Sequence, residues 1–321
     1  MKAAVRHSFG SPDVIEIEEV DRPTLEDEDV LVRVKASSVN KADWYDLKGK
    51  PWVGRFAMGL TGPKMPRFGT DYAGTVEAVG DAVTDFEPGD EVYGGRTGAY
   101  AEYVVVKNAI APKPANLSFA EAAAIPIAGL TALQGLRDMG VLQPGQHVLI
   151  NGASGGVGTF AVQIAKALGA EVTAVCSPGN VDQSRALGAD HVVDYTREDF
   201  TDGERRYHLV LDVAGSQPWS KLKRVLEPEG IDVIVGAPSR GSLLGPLGFI
   251  AKTKLGGVLG SQKVVFFIAK FNRPDLHVLT EMIESGSVKP AIDRRYELDQ
   301  IGDAFRYFGE GHARAKVVVT M

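Results

Sequence analysis

From residue 147 onward the chain alternates short apolar runs with helix-length segments, and this alternation restricts the possible folds more than any other feature. The runs at 147–151, 171–175, 191–194, 209–213, 231–235 and 264–267 have the length of buried strands. Between them, residues 159–168 read as a helix ending at Gly169, and a second helix runs through Arg185 to residue 187. Strands separated by helices lie parallel and are joined by right-handed crossovers. Six such strands predict a doubly wound, dinucleotide-binding sheet, so the fold class is α/β.

The part before residue 117 reads differently. Residues 14–20 alternate apolar and acidic side chains, 30–34 alternate again, and 69–80 and 100–106 are β-rich runs between Gly and Pro breaks. Short strands with irregular links predict a small, partly closed β domain. Residues 118–136 are Ala-rich and helix-like, with a break forced at Pro126. Residues 274–285 read as one more helix. The tail 316–321 (KVVVTM) reads as a strand with no helix after it, predicted to return to the first domain. Residues 241–260, glycine-rich and apolar, read as a mobile loop or an interface segment.

At 321 residues the chain exceeds one typical domain, and two are expected. A net charge of −6 gives no electrostatic case for nucleic acid or an anionic membrane as partner, and pairs such as Arg205-Arg206 and Arg294-Arg295 are too short to reverse that. Cys176 is the single cysteine, which rules out an intramolecular disulfide and a cysteine-rich zinc lobe; a small buried residue at a strand end is the expected role. The opening MKAAVRHSFG holds no apolar signal core, and no apolar run reaches the roughly 18 residues of a membrane span. A cytoplasmic location is the expectation.

The sharpest local signal is Asn151-Gly152-Ala153-Ser154-Gly155-Gly156-Val157-Gly158, placed between a strand and a helix. Gly155 is expected to let the backbone turn and approach a pyrophosphate, and Gly158 to let the helix pack close to the sheet. The helix start offers N–H groups and a positive dipole end to the phosphates. Ala153 stands where the G-x-G-x-x-G pattern has its first glycine, which is acceptable if that position needs smallness and not a positive φ. Ser154 is not in a G-x-S-x-G elbow, which argues against a serine hydrolase.

The second strand ends at Val175-Cys176-Ser177, about 20 residues past the turn, where an NAD enzyme places an acid on the ribose. Here stand Ser177, Pro178, Gly179 and Asn180. Hydroxyl and amide donors accept a 2′-phosphate that an acid would repel, so NADPH is the predicted cofactor. Tyr195 is a further candidate contact, and Arg185 a weaker one.

In this order, Ala36-Ser37-Ser38-Val39-Asn40, Gly69-Thr70-Asp71-Tyr72-Ala73-Gly74, Phe86-Glu87-Pro88-Gly89-Asp90, Gly129-Leu130-Thr131-Ala132, the 154–158 turn, Leu187-Gly188-Ala189-Asp190 and the Lys316-Val317-Val318-Val319 tail form a specific set. Across nearly the whole chain the sequence resembles the medium-chain dehydrogenase/reductase superfamily, in its zinc-free, quinone-oxidoreductase-like branch. The Cys176-Ser177-x-x-Asn180 pattern resembles the NADPH-dependent oxoene (alkenal/one) reductases, although many quinone reductases have lysine where Asn180 stands. The resemblance implies a GroES-like, partly open β-barrel domain from residues 1–117 and 271–321, a Rossmann domain at 118–270, and an active site in the cleft between them. It also implies a homodimer paired through an edge strand around 264–268.

In zinc-dependent relatives Asn40 would be a ligand cysteine and Asp71 would lie near a histidine–glutamate pair, so no metal site is expected. The resemblance puts Asn40 and Thr131 near the nicotinamide. It adds Gly236, Ala237, Phe267 and Lys316 to the cofactor-binding set. Lys41 and Tyr45 are the candidate donors to the substrate oxygen, and Trp44, Trp52, Phe56, Phe249 and Phe267 the candidate pocket walls. The activity implied is hydride transfer to a quinone or to the conjugated C=C of an enone or alkenal. The alternatives are an NADPH-binding scaffold without catalysis and an atypical alcohol dehydrogenase.

Overall fold

The computed structural model describes residues 1–236, Thr253 and 260–321. In chain order the strands are β1 (Lys2–Val5), β2 (Glu16–Glu19), β3 (Val30–Val39), β4 (Asp71–Val79), β5 (Glu91–Gly95), β6 (Tyr103–Val106) and β7 (Ile110–Pro112). There follow β8 (His147–Asn151), β9 (Glu171–Cys176), β10 (His191–Asp194), β11 (Tyr207–Asp212), β12 (Leu226–Ile234) and β13 (Lys263–Phe266), then β14 (Ile292–Glu297) and β15 (Lys316–Thr320). The chain forms two compact units, one of Met1–Leu130, Phe271–Gly286 and Pro290–Met321, the other of Thr131–Lys270 and Ser287–Lys289. The 241–260 segment, Ala237 and Phe249 lie outside the described residues, apart from Thr253 and Gly260.

In the second unit six strands pair in parallel in the order β10-β9-β8-β11-β12-β13. The order reverses between β8 and β11, and doubly wound sheets bind dinucleotides at the carboxyl ends beside such a switch point. All six strands fall on the apolar runs. Leu149, Val210, Leu222 and Val225 are buried together in one core layer, with the helix Trp219–Val225 contributing the last two. Among the described residues β13 is an edge, paired to β12 alone.

In the first unit the sheet runs β14-β15-β3-β4-β5-β7, with β6 also on β3. One edge of β3 pairs with β6 over residues 30–33 and with β15 over 36–39, on either side of a register shift near Val34. The bend curves the sheet without closing it, since β14 and β7 are its edges among the described residues. The tail strand β15 does return here, as its lack of a following helix predicted. Phe305, Phe68 and Tyr100 meet at centroid distances of 5.1–5.8 Å in the core beneath it.

Several elements were not anticipated, three of them near the first unit's polar cluster and core. Residues 41–47, to which the sequence assigned no element, form a helix (Lys41–Leu47); Asn40 caps it in a reciprocal box with Asp43. β14 has a charged face and forms only by pairing with β15. The helix Ile301–Gly309 buries Ile301, Ala304 and Phe305. The Ala-rich stretch breaks as expected, into Phe119–Ala123 and Pro126–Gln134.

Candidate cofactor and substrate sites

At the end of β8 the chain turns at Gly152, φ +92°, a conformation that favours glycine. The Gly152 and Ala153 N–H groups donate to the Val175 carbonyl at 3.1 and 3.0 Å, tying the turn to the end of β9. Ala153 is fully buried and has no positive φ, so its position requires smallness, as expected. A Cβ on Gly158 would stand 2.2 Å from the Gly152 oxygen, so only glycine lets the helix Gly156–Ala167 pack this close. Gly155 does not turn the backbone, contrary to expectation: its φ is −79°, and Gly152 makes the reversal. What Gly155 supplies is room, since a Cβ there would meet only the Gly152 oxygen, at 3.7 Å. As the N-cap it makes no side-chain hydrogen bond to the first turn, and the N–H groups of Gly156, Val157 and Gly158, at the helix start, lack intrahelical acceptors beside the half-buried Ser154.

β9 ends at Cys176, whose buried thiol is pushed above its ordinary pKa by desolvation and stays neutral. Ser177 then caps a short turn, Pro178–Asn180. The buried Asn180 donates from Nδ2 to the Ser177 Oγ at 2.8 Å, and its Oδ1 has no partner. A hydroxyl oxygen that accepts keeps its own proton to donate, so Ser177 is poised as a donor. The neighbouring acid Asp194, in register with Cys176, is engaged in its own turn with the Thr196 N–H and hydroxyl at 2.9 and 2.8 Å. Tyr195 is 59% exposed, and Arg185 is exposed beside Asp182.

Sequence reasoning missed Asp212 at the end of β11. Its Oδ1 accepts from the Asn151 Nδ2 at 2.7 Å and the Gly215 N–H at 2.8 Å, and its main-chain oxygen accepts from Val235 and Gly236. One residue thus ties the end of β8 to the loops after β11 and β12 at the switch point. Burial raises the pKa of its carboxyl above the ordinary aspartate value. Gly236 fits because a Cβ there would stand 1.9 Å from the Val213 oxygen. Phe267 is half-buried next to Gly135, and Thr131 is half-buried on the helix Pro126–Gln134.

In the first unit, buried polar side chains gather where β3, β4 and β15 meet. Asp71 Oδ2 accepts from Ser38 Oγ (2.7 Å), Asn40 Nδ2 (2.9 Å) and Lys316 Nζ (3.2 Å), while Oδ1 accepts from the Ile127 N–H (2.9 Å). Lys316 also donates to the Asn40 Oδ1. Lys316 was expected on the cofactor. It is 2% exposed and its ammonium is held by Asp71 and Asn40, so its charge is spent inside this unit. The Asn40 amide is likewise committed on both ends, which makes Asn40 a brace for the adjoining helix. On that helix Lys41 and Tyr45 sit one turn apart, the ammonium 5.5 Å from the ring centre. Lys41 is exposed, and partial desolvation lowers its pKa from the ordinary lysine value.

Asp43, fully enclosed, accepts from Thr70 Oγ1 (2.6 Å), Tyr100 OH (3.0 Å) and the Asn40 N–H (3.0 Å). Burial raises its pKa to about 6, with the Asp71 charge adding to the rise and the hydroxyl donors opposing it. The folded value lies above the unfolded one of about 4. The stability tied to this proton is therefore full below pH 4 and lost as pH rises through about 6. Asp43→Asn, which removes the titration, should gain about 2–3 kcal/mol relative to wild type between pH 4 and 7. Urea unfolding of both proteins across that range checks it; a constant difference contradicts it.

Zinc requires several sulfur, nitrogen or carboxylate donors converging on one point. Among the described residues no group of three or more His, Cys, Asp or Glu is placed to hold a metal ion. At Asn40 and Asp71, a lysine ammonium already supplies the positive charge. These residues do not fit a catalytic zinc. No helix among the described residues is long and apolar enough to cross a membrane.

Comparison with known proteins agrees with this architecture. Residues 26–115 match the family model of the alcohol dehydrogenase GroES-like domain, and residues 187–319 match that described as zinc-binding dehydrogenase. The chain is 35% identical to a 2-methylene-furan-3-one reductase of Solanum lycopersicum, over 99% of this chain and 79% of that protein. It is 33% identical to a chloroplastic NADPH-dependent alkenal/one oxidoreductase of Arabidopsis thaliana, again over 99% of this chain and 79% of that protein. A solved quinone oxidoreductase of Coxiella burnetii superposes with a TM-score of 0.87 at 28% identity, covering 100% of this chain and 99% of that one. With a GroES-like sheet, a doubly wound sheet in the order found here and relatives of these kinds, the chain belongs to the medium-chain dehydrogenase/reductase superfamily, in its quinone-oxidoreductase-like branch.

Proposed function

We propose that this chain is an NADPH-dependent oxidoreductase that reduces quinones or the conjugated C=C of enones and alkenals. The observation that carries the reading is the glycine turn at 152–158, open at the helix start, with Ser177 and Asn180 in place of an acid at the end of β9. The pyrophosphate fits the N–H groups of Gly156 to Gly158, and the 2′-phosphate fits the Ser177 hydroxyl. Bound there, NADPH supplies the hydride. Ser154, Thr131, Tyr195, Gly236 and Phe267 belong to the same cofactor set, and Ala237 belongs to it by sequence.

A substrate whose own carbonyl takes up the charge needs donors at that oxygen, not a metal. Lys41 supplies a hydrogen bond from an ammonium whose lowered pKa eases proton release. Tyr45, one turn away, is the candidate proton donor. Two relatives carry names of this activity, an alkenal/one oxidoreductase and a furanone reductase. A cytoplasmic homodimer pairing through the β13 edge completes the reading.

The test is NADPH consumption over a panel of alkenals, enones and quinones, with NADH as control. Turnover with NADPH well above that with NADH is expected. Comparable affinity for both cofactors removes the Ser177 assignment, and NADPH binding without turnover favours a scaffold role. Tyr45→Phe should lower enone turnover severalfold with little change in NADPH affinity; unchanged turnover removes Tyr45 from the mechanism.

A further inference from the structure

The chain carries 41 acidic and 35 basic side chains, yet residues 47–70 hold Lys48, Lys50, Arg55, Lys64 and Arg67 and no Asp or Glu. The flanking acids are occupied elsewhere: Asp46 pairs with Arg6 at 2.6 Å, and Asp43 and Asp71 are buried. A surface responds to the charge within about 10 Å of it, not to the whole-chain sum. Along the sequence this stretch is strongly cationic on an acidic protein, and Glu16 and Glu18 of β2 border it through Val5 and His7, with Glu18 paired to His7.

The same stretch exposes large apolar side chains: Trp52 at 57%, Phe56 at 75%, Leu60 at 64% and Met65 at 42%. The other large exposed apolar side chains among the described residues are scattered: Leu25, Val141, Tyr195 and Ile268. The four fall on one compact excursion. Lys64 N–H donates to the Met58 oxygen at 2.8 Å, and Gly59 N–H to the Arg55 oxygen at 2.8 Å. Gly59, φ +126°, makes the reversal that leaves Leu60 at the tip. The cations are interleaved with the rings: the Arg55 guanidinium lies 4.2 Å from the Trp52 ring centre, and the Lys48 ammonium 4.3 Å from that of Trp44.

Exposed Trp, Phe and Leu set among Lys and Arg is the composition that enters the headgroup layer of an anionic bilayer. We propose that the 47–70 surface docks on an anionic lipid bilayer. Trp52, Phe56 and Leu60 enter among the headgroups, and Lys50, Arg55 and Lys64 face the lipid phosphates. Charge complementarity selects this occupant: the remainder of an acidic chain is repelled by such a surface, so the strip also fixes which side faces the lipid. Trp52 and Phe56, expected as pocket walls, stand 57% and 75% exposed instead, and the docking does not depend on the hydride transfer assigned above.

The test uses the full chain with vesicles of phosphatidylcholine alone and of phosphatidylcholine mixed with phosphatidylglycerol. Wild type should co-float with the mixed vesicles, be released by high salt, and show a blue shift of emission that Trp52→Phe diminishes. Lys50→Glu/Lys64→Glu should weaken that binding by more than about tenfold, with NADPH affinity and thermal unfolding unchanged as proof of folding. Phe56→Ser/Leu60→Ser should weaken binding at unchanged salt dependence. Equal binding to neutral vesicles, absence of vesicle binding by wild type, or full binding by the Lys50→Glu/Lys64→Glu variant overturns the proposal. So does binding of an acidic protein through this strip without any vesicle binding.

Discussion

Gly158→Val is expected to abolish NADPH binding, lowering affinity by more than about 100-fold through loss of the helix-start geometry that holds phosphate, and to destabilise the fold. The Cβ alone would stand 2.2 Å from the Gly152 oxygen and 2.6 Å from the Ala153 Cα, both backbone atoms that a rotamer change cannot move. Either the helix Gly156–Ala167 backs away from the sheet or the turn deforms. Overpacking of this kind costs about 1–3 kcal/mol, and more where backbone must shift. Gly155→Ala is the control: φ is −79° and the added Cβ meets only an oxygen at 3.7 Å, so thermal stability should be preserved. Thermal unfolding and a fluorescence titration with NADPH on both variants read the two effects separately. Wild-type affinity in Gly158→Val would contradict the account.

The second large effect is expected at Lys316. Lys316→Met leaves Asp71 buried at 0% exposure with its cation gone, and removing one partner of a buried ion pair costs about 3–5 kcal/mol. The Ser38 hydroxyl, the Asn40 amide and the Ile127 N–H remain as donors but bring no charge. Adding Asp71→Asn removes the stranded charge, so the double variant should be more stable than the Lys316→Met single variant. Urea unfolding of the wild type, both single variants and the double variant gives the comparison. A single-variant loss under about 1 kcal/mol would show that the pair is as weak as an exposed one.

The doubly wound sheet was legible because strands buried on both faces read as near-continuous apolar runs, as β8, β9 and β11 do, and the half-buried β10 and β13 and the end of β12 still carry short apolar runs. The turn was legible because Gly158 answers a local steric demand. Gly155 was misread because the sequence shows two nearby glycines and not which one takes the positive φ; the structure gives that to Gly152. The helix Ile301–Gly309 was there to be read, with Ile301, Ala304, Phe305 and Phe308 at helical spacing. β14 was not, since IDRRYE acquires its conformation from β15.

The polar clusters were beyond local pattern. Asp212 meets Asn151 across 61 positions, and Lys316 meets Asp71 across 245. Lys316 was therefore assigned to the cofactor on the strength of its tail motif, where the fold instead uses it to neutralise Asp71. The net charge of −6 likewise concealed the cationic stretch at 47–70, because a sum over the chain discards position.

The central claim is that the turn after β8 holds the diphosphate of NADPH. A crystal structure of the chain with NADPH tests it most directly. The account predicts the pyrophosphate against the N–H groups of Gly156 to Gly158 and the 2′-phosphate within hydrogen-bonding distance of the Ser177 hydroxyl. NADPH bound with its pyrophosphate away from this turn, or a turn left empty at saturating NADPH, would contradict it.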